Sequence, residues 1–391
     1  MESVGMMDKV IRLSKSVIGE AEKKAVMGVL DREYLGMGKE VQEFENVLND
    51  FLDRPVVCVN TGTAALHLSL QALGIGPGDE VLVQSITYVA SFQAISATGA
   101  TPVPCEVDPD TLTLDVNDAM KRLTEKTKAV MPVHYAGGMG ALDEIYEFSE
   151  KYGLRVVEDA CHAFGGYYNG KKVGGFGDIA CFSFDGIKNI TCGEGGAVVT
   201  NDEDVLQKVR DARLLGVEKD TEKRYNAERS WEFDVNCQGF RYHMSNIMAA
   251  IGIEQMKRLP EFSSRRKMLA ERYRRNLASC DSIEHLIQDM ETIVPHIFVI
   301  KIKNVEREKI RERLLASGIQ TGVHYMPNHL LSFYHGSKLP VTEALFPRLL
   351  SLPLHPDLVE LDIDYVCEEL ISCMEVLKDA KTKSQRDNEL L

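Results

Sequence analysis

At 391 residues the chain is longer than one hydrophobic core usually serves, about 250–300 residues, and a large domain with a smaller companion is expected. Its 44% hydrophobic and 27% charged residues are ordinary for a globular protein and exclude disordered and fibrous classes. The formal charge of -14 argues against general binding to nucleic acid or anionic membrane, which needs basic surfaces, so an anionic substrate would require a locally basic pocket.

In chain order, Gly19–Leu30 and Lys39–Leu52 have helical spacing, separated by the glycine-bearing Tyr34-Leu-Gly-Met-Gly38. From Pro55 to about Thr200, short β-rich runs alternate with helical patterns. The runs are Val56–Val59, Glu80–Val83, Thr101–Val107, Ala129–His134, Leu154–Glu158, Ile179–Phe184 and Ala197–Thr200. That alternation is the mark of an α/β domain with a mainly parallel sheet flanked by helices. A polar stretch at Glu218–Trp231 precedes a long helical region from Ser245 to about Ala278, with an expected break near Pro260. A strand (Ile297–Ile302), a helix (Arg307–Ser317), an extended segment (Ile319–Tyr325) and a helix (Ile363–Leu377) then suggest a smaller α+β unit. The expected division is 1–250 for the large domain, 251–380 for the small one and 381–391 for a flexible tail. Nine cysteines without a C-x-x-C pair read as free thiols, mostly buried, of a reducing compartment. No run has the form of a signal peptide or approaches the ~18 apolar residues of a membrane span, so a soluble cytoplasmic protein without a membrane partner is expected.

Three motifs carry chemistry. Asn60-Thr-Gly-Thr-Ala64 joins a strand to a helix, and a small-residue turn there offers free N–H groups and the positive end of a helix dipole to a phosphate. An ordinary threonine cap is an equal reading of that motif alone. Val156-Val-Glu-Asp159 ends an apolar strand at the edge where open α/β sheets bind ligands. Its carboxylate either caps a helix or holds a pyridine nitrogen protonated. In Cys181-Phe-Ser-Phe-Asp-Gly-Ile-Lys188-Asn-Ile-Thr-Cys-Gly-Glu-Gly-Gly196, a lysine follows a strand end in a loop, where desolvation could lower its pKa as an amine nucleophile requires. Phosphate cradle, acid, hydroxyl and lysine are together the groups that pyridoxal phosphate (PLP) needs.

With Thr61-Gly-Thr-Ala-Ala-Leu, Thr87-Tyr-Val-Ala-Ser, Pro132-Val-His-Tyr-Ala-Gly, Glu158-Asp-Ala-Cys-His-Ala, Phe182-Ser-Phe before Lys188-Asn, Gly193-Glu-Gly-Gly and Thr321-Gly-Val-His-Tyr in this order, the chain resembles the DegT/DnrJ/StrS sugar aminotransferases from about Ile18 to the final helix. These are PLP enzymes of the aspartate-aminotransferase fold, fold type I. The resemblance implies that the Gly62 and Thr63 backbone, beside Thr61, holds the phosphate with help from the Ser183 hydroxyl. It implies that Tyr88 stacks on the ring, Asp159 pairs with the ring nitrogen, and His162 lies near the ring hydroxyl. Lys188 would form the Schiff base and carry the proton between cofactor and substrate carbons. His324 and Tyr325, with Gly36 and Gly38, would approach the substrate. Where many relatives read Gly-Tyr-Asn-Tyr-Arg this chain has Gly239-Phe-Arg-Tyr-His243, so in a homodimer the contact to the neighbouring subunit's phosphate would fall to Arg241 or His243, or be lost.

The family implies transamination of a nucleotide-linked ketosugar with L-glutamate as donor. Pro132–Gly137, His162 and Lys188–Cys192 favour a 4-keto substrate over a 3-keto sugar or a cyclitol. A PLP-dependent sugar dehydratase would carry histidine in place of Lys188, and a non-catalytic PLP-binding regulator would not need both Lys188 and Asp159. Gly165–Lys172 nearly matches a P-loop but lacks its Ser/Thr, and reads as a turn at Asn169-Gly170. No zinc-like spacing appears around His324 or His329, so no metal is expected.

Overall fold

A computed structural model describes residues 10–229 and 231–389, and the side chains up to Lys378. Helices α1 (Glu20–Asp31) and α2 (Lys39–Leu52) lead into twelve strands among the described residues. Strands β1 (Val56–Val59), β2 (Glu80–Gln84), β3 (Thr101–Cys105), β4 (Thr127–Met131), β5 (Arg155–Asp159), β8 (Ile179–Ser183) and β9 (Gly196–Thr200) form one sheet in the order β1-β9-β8-β5-β4-β2-β3. Between β5 and β8 a hairpin pairs β6 (Tyr167–Tyr168) with β7 (Lys171–Lys172). Its turn residues Asn169 and Gly170 both have positive φ, 47° and 76°, the backbone of an Asn-Gly hairpin turn and not of a phosphate loop. Strands β10 (Ile283–His285), β11 (Phe298–Ile302) and β12 (Leu349–Leu352) make a second, antiparallel sheet.

In the large sheet only β9 runs against its neighbours. Because side chains alternate along a strand, each strand feeds two cores. Val56, Leu82, Val130, Val156 and Phe182 pack with Phe44 and Leu48 of α2 on one face. Val57, Val81, Met131, Val157 and Cys181 pack on the other with helices α3 (Gly62–Ala72) and α4 (Val89–Ala97). Both faces are covered, which explains why these strands read as apolar runs. The parallel strands β1, β5 and β8 end on one edge, so Asn60, Asp159 and Ser183 come out side by side.

The helix Asn246–Leu277 is continuous, against the expected break at Pro260. Pro260 sits on its exposed face between buried Leu259 and Phe262, whose packing carries the helix through the hydrogen bond that proline removes. The extended segment Ile319–Tyr325 is no regular strand. It touches Ile11 and Ser351 through single bridges at Ile319 and Gly322. Ile11 thereby joins the core of the second sheet, with Leu269, Tyr273, Ile300, Ile310 and Leu370. The last helix runs from Glu360 to Glu389, through most of the segment expected as a flexible tail. Leu390 and Leu391 lie outside the described residues.

Candidate active site

The edge formed by β1, β5 and β8 opens into a cavity of about 440 Å³, within the range of small-molecule sites. Thr61, Gly62, Thr63, Tyr88, Asp159, His162, Ser183, Lys188, His324 and Tyr325 all line it. Gly36, Gly38 and Arg241 do not. The carbonyls of Leu35 and Gly36 accept from the Asn246 N–H, Gly38 packs on Tyr34 and Asn246, and exposed Arg241 bridges Leu214.

Helix α3 starts at the cavity. The Thr61 hydroxyl accepts from the Ala64 N–H at 3.0 Å and caps the helix, leaving the N–H groups of its first residues without intrahelical acceptors. Gly62 is required by closeness: a Cβ there would lie 2.7 Å from Ser183 Cβ and 3.1 Å from Cys161 Sγ. Gly196 of β9 lies against the same turn, for its Cβ would stand 2.3 Å from the Thr61 carbonyl oxygen. The result is a turn pressed onto two strands, with the dipole's positive end and the Ser183 hydroxyl at one place, which is a site for a dianionic phosphate.

Across the cavity, Asp159 is 5% exposed, and its orientation is fixed. The Ser91 hydroxyl donates to Oδ2 at 2.7 Å, the Thr87 hydroxyl stands 3.0 Å behind Ser91, and the Cys161 N–H approaches Oδ1 at 3.3 Å. A buried carboxylate with one oxygen edge so held suits a protonated ring nitrogen. His162 takes the Ala136 N–H on Nδ1 at 3.4 Å, which assigns the proton to Nε2, 3.1 Å from the Tyr325 hydroxyl. Burial, then the charge of Lys188, pushes its pKa well below that of an ordinary histidine, so the ring is neutral. Tyr88 is 59% exposed at the mouth, its ring centroid 5.6 Å from that of Tyr325.

Lys188 lines the cavity with Asp159, Cys161 and Asp185. Burial lowers its pKa, only partly opposed by Cys161, Asp159 and Asp185. A lysine poised toward the free base is what carbonyl condensation needs. His324 is held by a 2.7 Å contact between Nδ1 and Ser351 Oγ, and burial followed by Lys188 brings it down to about 4. The Tyr135 hydroxyl donates to the His324 carbonyl. Thus the turn, the carboxylate and the amine fit PLP at its phosphate, its ring nitrogen and its aldehyde.

Sequence reasoning missed the residues that support these groups. Ser91 ended the motif Thr87-Tyr-Val-Ala-Ser without a role of its own. Asp185 and Glu194 also line the cavity. Burial and then Asp185 raise the Glu194 carboxyl above the usual range. The order of the Lys188 loop, with Gly193-Glu-Gly-Gly returning to β9, was the one available sign that Glu194 would face inward.

Comparison with known proteins agrees with this geometry. The model of the DegT/DnrJ/EryC1/StrS aminotransferase family matches residues 16–371. An uncharacterized protein of Methanocaldococcus jannaschii is 36% identical over 358 residues, 88% of this chain and 93% of its own. The aminotransferase TlmJ of Streptoalloteichus hindustanus superposes with a TM-score of 0.88 at 34% identity, covering 94% of this chain and all of TlmJ. The PLP form of Spr1654 of Streptococcus pneumoniae, assigned as a sugar aminotransferase, gives 0.87 at 30%, over 94% of this chain and 100% of that one. Helicobacter pylori PseC, an aminotransferase in pseudoaminic acid biosynthesis, gives 0.86 at 28%, with coverage of 94% and 100%. The match spans both sheets and every wall of the cavity, and the chain belongs to the DegT/DnrJ/EryC1/StrS aminotransferase family, with PLP as its cofactor.

Proposed function

We propose that this protein moves the amino group of L-glutamate to the C4 keto group of a nucleotide-linked deoxysugar, giving an amino sugar for a surface polysaccharide, a lipopolysaccharide or a natural product. The observation that carries the aminotransferase chemistry is the partly desolvated Lys188 amine in the same cavity as the clamped Asp159 and the Gly62 turn. When bound, PLP supplies an aldehyde that condenses with amines and a ring that takes up a carbanion's electron pair. Asp159, steered by Ser91, holds the ring nitrogen protonated. Gly62, Thr63 and Ser183 anchor the phosphate. Tyr88 covers the ring, and neutral His162, donating to Tyr325, borders it near the ring hydroxyl. Lys188 Nζ would hold the aldehyde and would be the base placed to move a proton at the reacting carbon.

The 4-keto preference rests on the motifs Pro132–Gly137, His162 and Lys188–Cys192, and the nucleotide on family likeness. His324 and Tyr325 border the substrate side. We assign Gly36, Gly38 and Arg241 to the cavity of a second copy in a homodimer, which accounts for their distance from the cavity of their own chain. A cytoplasmic setting is supported by nine free cysteines, six of them buried. Among the described residues no helix is long and apolar enough to cross a membrane.

The test is the visible spectrum of the purified protein before and after L-glutamate. A band at roughly 410–430 nm, general for PLP joined to lysine, should fall as a pyridoxamine band rises, and the glutamate-treated enzyme should then aminate 4-keto nucleotide sugars. Turnover of only 3-keto or cyclitol substrates overturns the C4 assignment. Absence of the band with added PLP overturns the role of Lys188.

A further inference from the structure

Behind Lys188 lies a cation that the reaction as described does not use. Arg266, on the helix Asn246–Leu277, is 1% exposed. Its guanidinium meets only carbonyls: His296 at 3.0 Å, Leu354 at 3.3 Å, and Pro295 and Ile187 at 3.5 Å. No carboxylate pairs with it among the described residues, and its Nε has no hydrogen-bond partner. A buried guanidinium without a counter-ion is costly, so its retention beside the loop of Lys188 asks for a reason. One of the four carbonyls belongs to Ile187, the residue before Lys188. The other three come from the segments that lead into β11 and out of β12, so one side chain joins the lysine loop to the second sheet.

We propose that Arg266 is a positioning residue for Lys188: it ties the Ile187 carbonyl to the second sheet and places an uncompensated positive charge behind the amine, favouring the neutral form. This rests on Lys188 being the PLP lysine. The charge acts in a defined company. Facing Lys188 are Asp159 at the end of β5 and Cys161 just beyond it, Asp185 on its own loop, and the neutral His162, His296 and His324 from three other segments. Of these, the acids favour the ammonium and Arg266 opposes it, while burial has the largest effect. The neutral form matters because the Lys188 lone pair makes the new bond to the aldehyde carbon. The two amine hydrogens and the aldehyde oxygen then leave as water, and an ammonium has no lone pair to begin this.

The experiment measures the rate at which apoenzyme captures PLP as a function of pH, followed by the visible band and by borohydride trapping on Lys188. Arg266→Gln should move the midpoint of the rate profile to higher pH, because a positive charge that disfavours the ammonium is gone. Arg266→Lys should keep the midpoint near wild type, since the charge remains, but lower the plateau rate because the fork of donors is lost. A midpoint unchanged in Arg266→Gln overturns the electrostatic half, and an unchanged plateau in Arg266→Lys overturns the tether. Should Arg266→Gln not fold, Arg266→Lys with both midpoint and plateau as in wild type still overturns the proposal. If wild-type enzyme traps no PLP on Lys188, the underlying assignment has failed and not this inference.

Discussion

Replacing Gly62 by alanine tests the phosphate cradle by geometry alone. The added Cβ would stand 2.7 Å from Ser183 Cβ, 3.1 Å from Cys161 Sγ and 3.2 Å from Ser183 Oγ. Separations under 3 Å are not tolerated between carbon atoms, so the turn must lift off β8. It has little slack on the side of β9, where Gly196 already touches Thr61. Overpacking of this kind costs about 1–3 kcal/mol. The greater effect should fall on PLP, because a displaced turn loses a charge-assisted N–H contact to phosphate, worth about 1.5–3 kcal/mol. The dissociation constant for PLP should therefore rise roughly 10- to 100-fold, read by absorbance titration of apoenzyme, while far-ultraviolet circular dichroism stays that of the wild type. Gly28→Ala is the control. It lies within α1, where an added Cβ would meet only the end of the flexible Arg32 side chain, at an ordinary 3.4 Å, and should stabilise the fold by about 0.5–1 kcal/mol without changing PLP affinity. Wild-type PLP affinity in Gly62→Ala would refute the cradle.

Lys188→Ala should abolish transamination and the long-wavelength band while leaving some noncovalent PLP binding, and an unchanged band would show that another amine holds the cofactor. Ser91→Ala removes the donor to Asp159 Oδ2 and should reduce kcat by about tenfold or more, the worth of a hydrogen bond to a charged group, with normal Tm; unaltered kcat would show that Asp159 needs no such clamp. Mixing Lys188→Ala with Arg241→Ala should restore part of the activity that each lacks, if Arg241 serves the neighbouring cavity; no restoration assigns it elsewhere. Stability should also fall with acid. The pKa of His324 is about 4 in the fold against 6.5 for the free side chain, so the unfolded chain binds the extra proton first. Its contribution is complete above pH 6.5 and is lost as pH falls through about 4. Urea midpoints measured from pH 7.5 to 4.5 should drop less steeply in His324→Asn, and equal slopes would refute this.

The strands and the chemistry-bearing loops were legible because both obey local rules. A strand covered on both faces must be apolar, so Val56–Val59 could be read to the residue. Gly62, Asp159, Ser183 and Lys188 each stand at a strand end, where sequence order alone puts them on one edge. Residues that act from behind were not legible. Ser91 reaches Asp159 from the first turn of α4, and Arg266 reaches the Lys188 loop from a helix some eighty residues later, contacts that only the packed fold creates. Pro260 misled for the same reason: its local penalty is real, but the flanking buried Leu259 and Phe262 outweigh it. Gly36, Gly38 and Arg241 were chosen from likeness to relatives, and a single chain does not bring them to its cavity.

The bridge between Ile11 and Ile319 has a consequence for synthesis. At roughly 5–20 residues per second, a ribosome needs on the order of 15–60 s to add the 308 residues from Arg12 to Ile319. Through that interval Ile11 and Leu13 lack the later segments on which they dock. The large sheet can close as soon as β9 is out, but the leading segment must wait for the second sheet. A chain that stops early therefore displays an unburied apolar leader, a ready mark by which chaperones and proteases can tell an unfinished copy from a finished one.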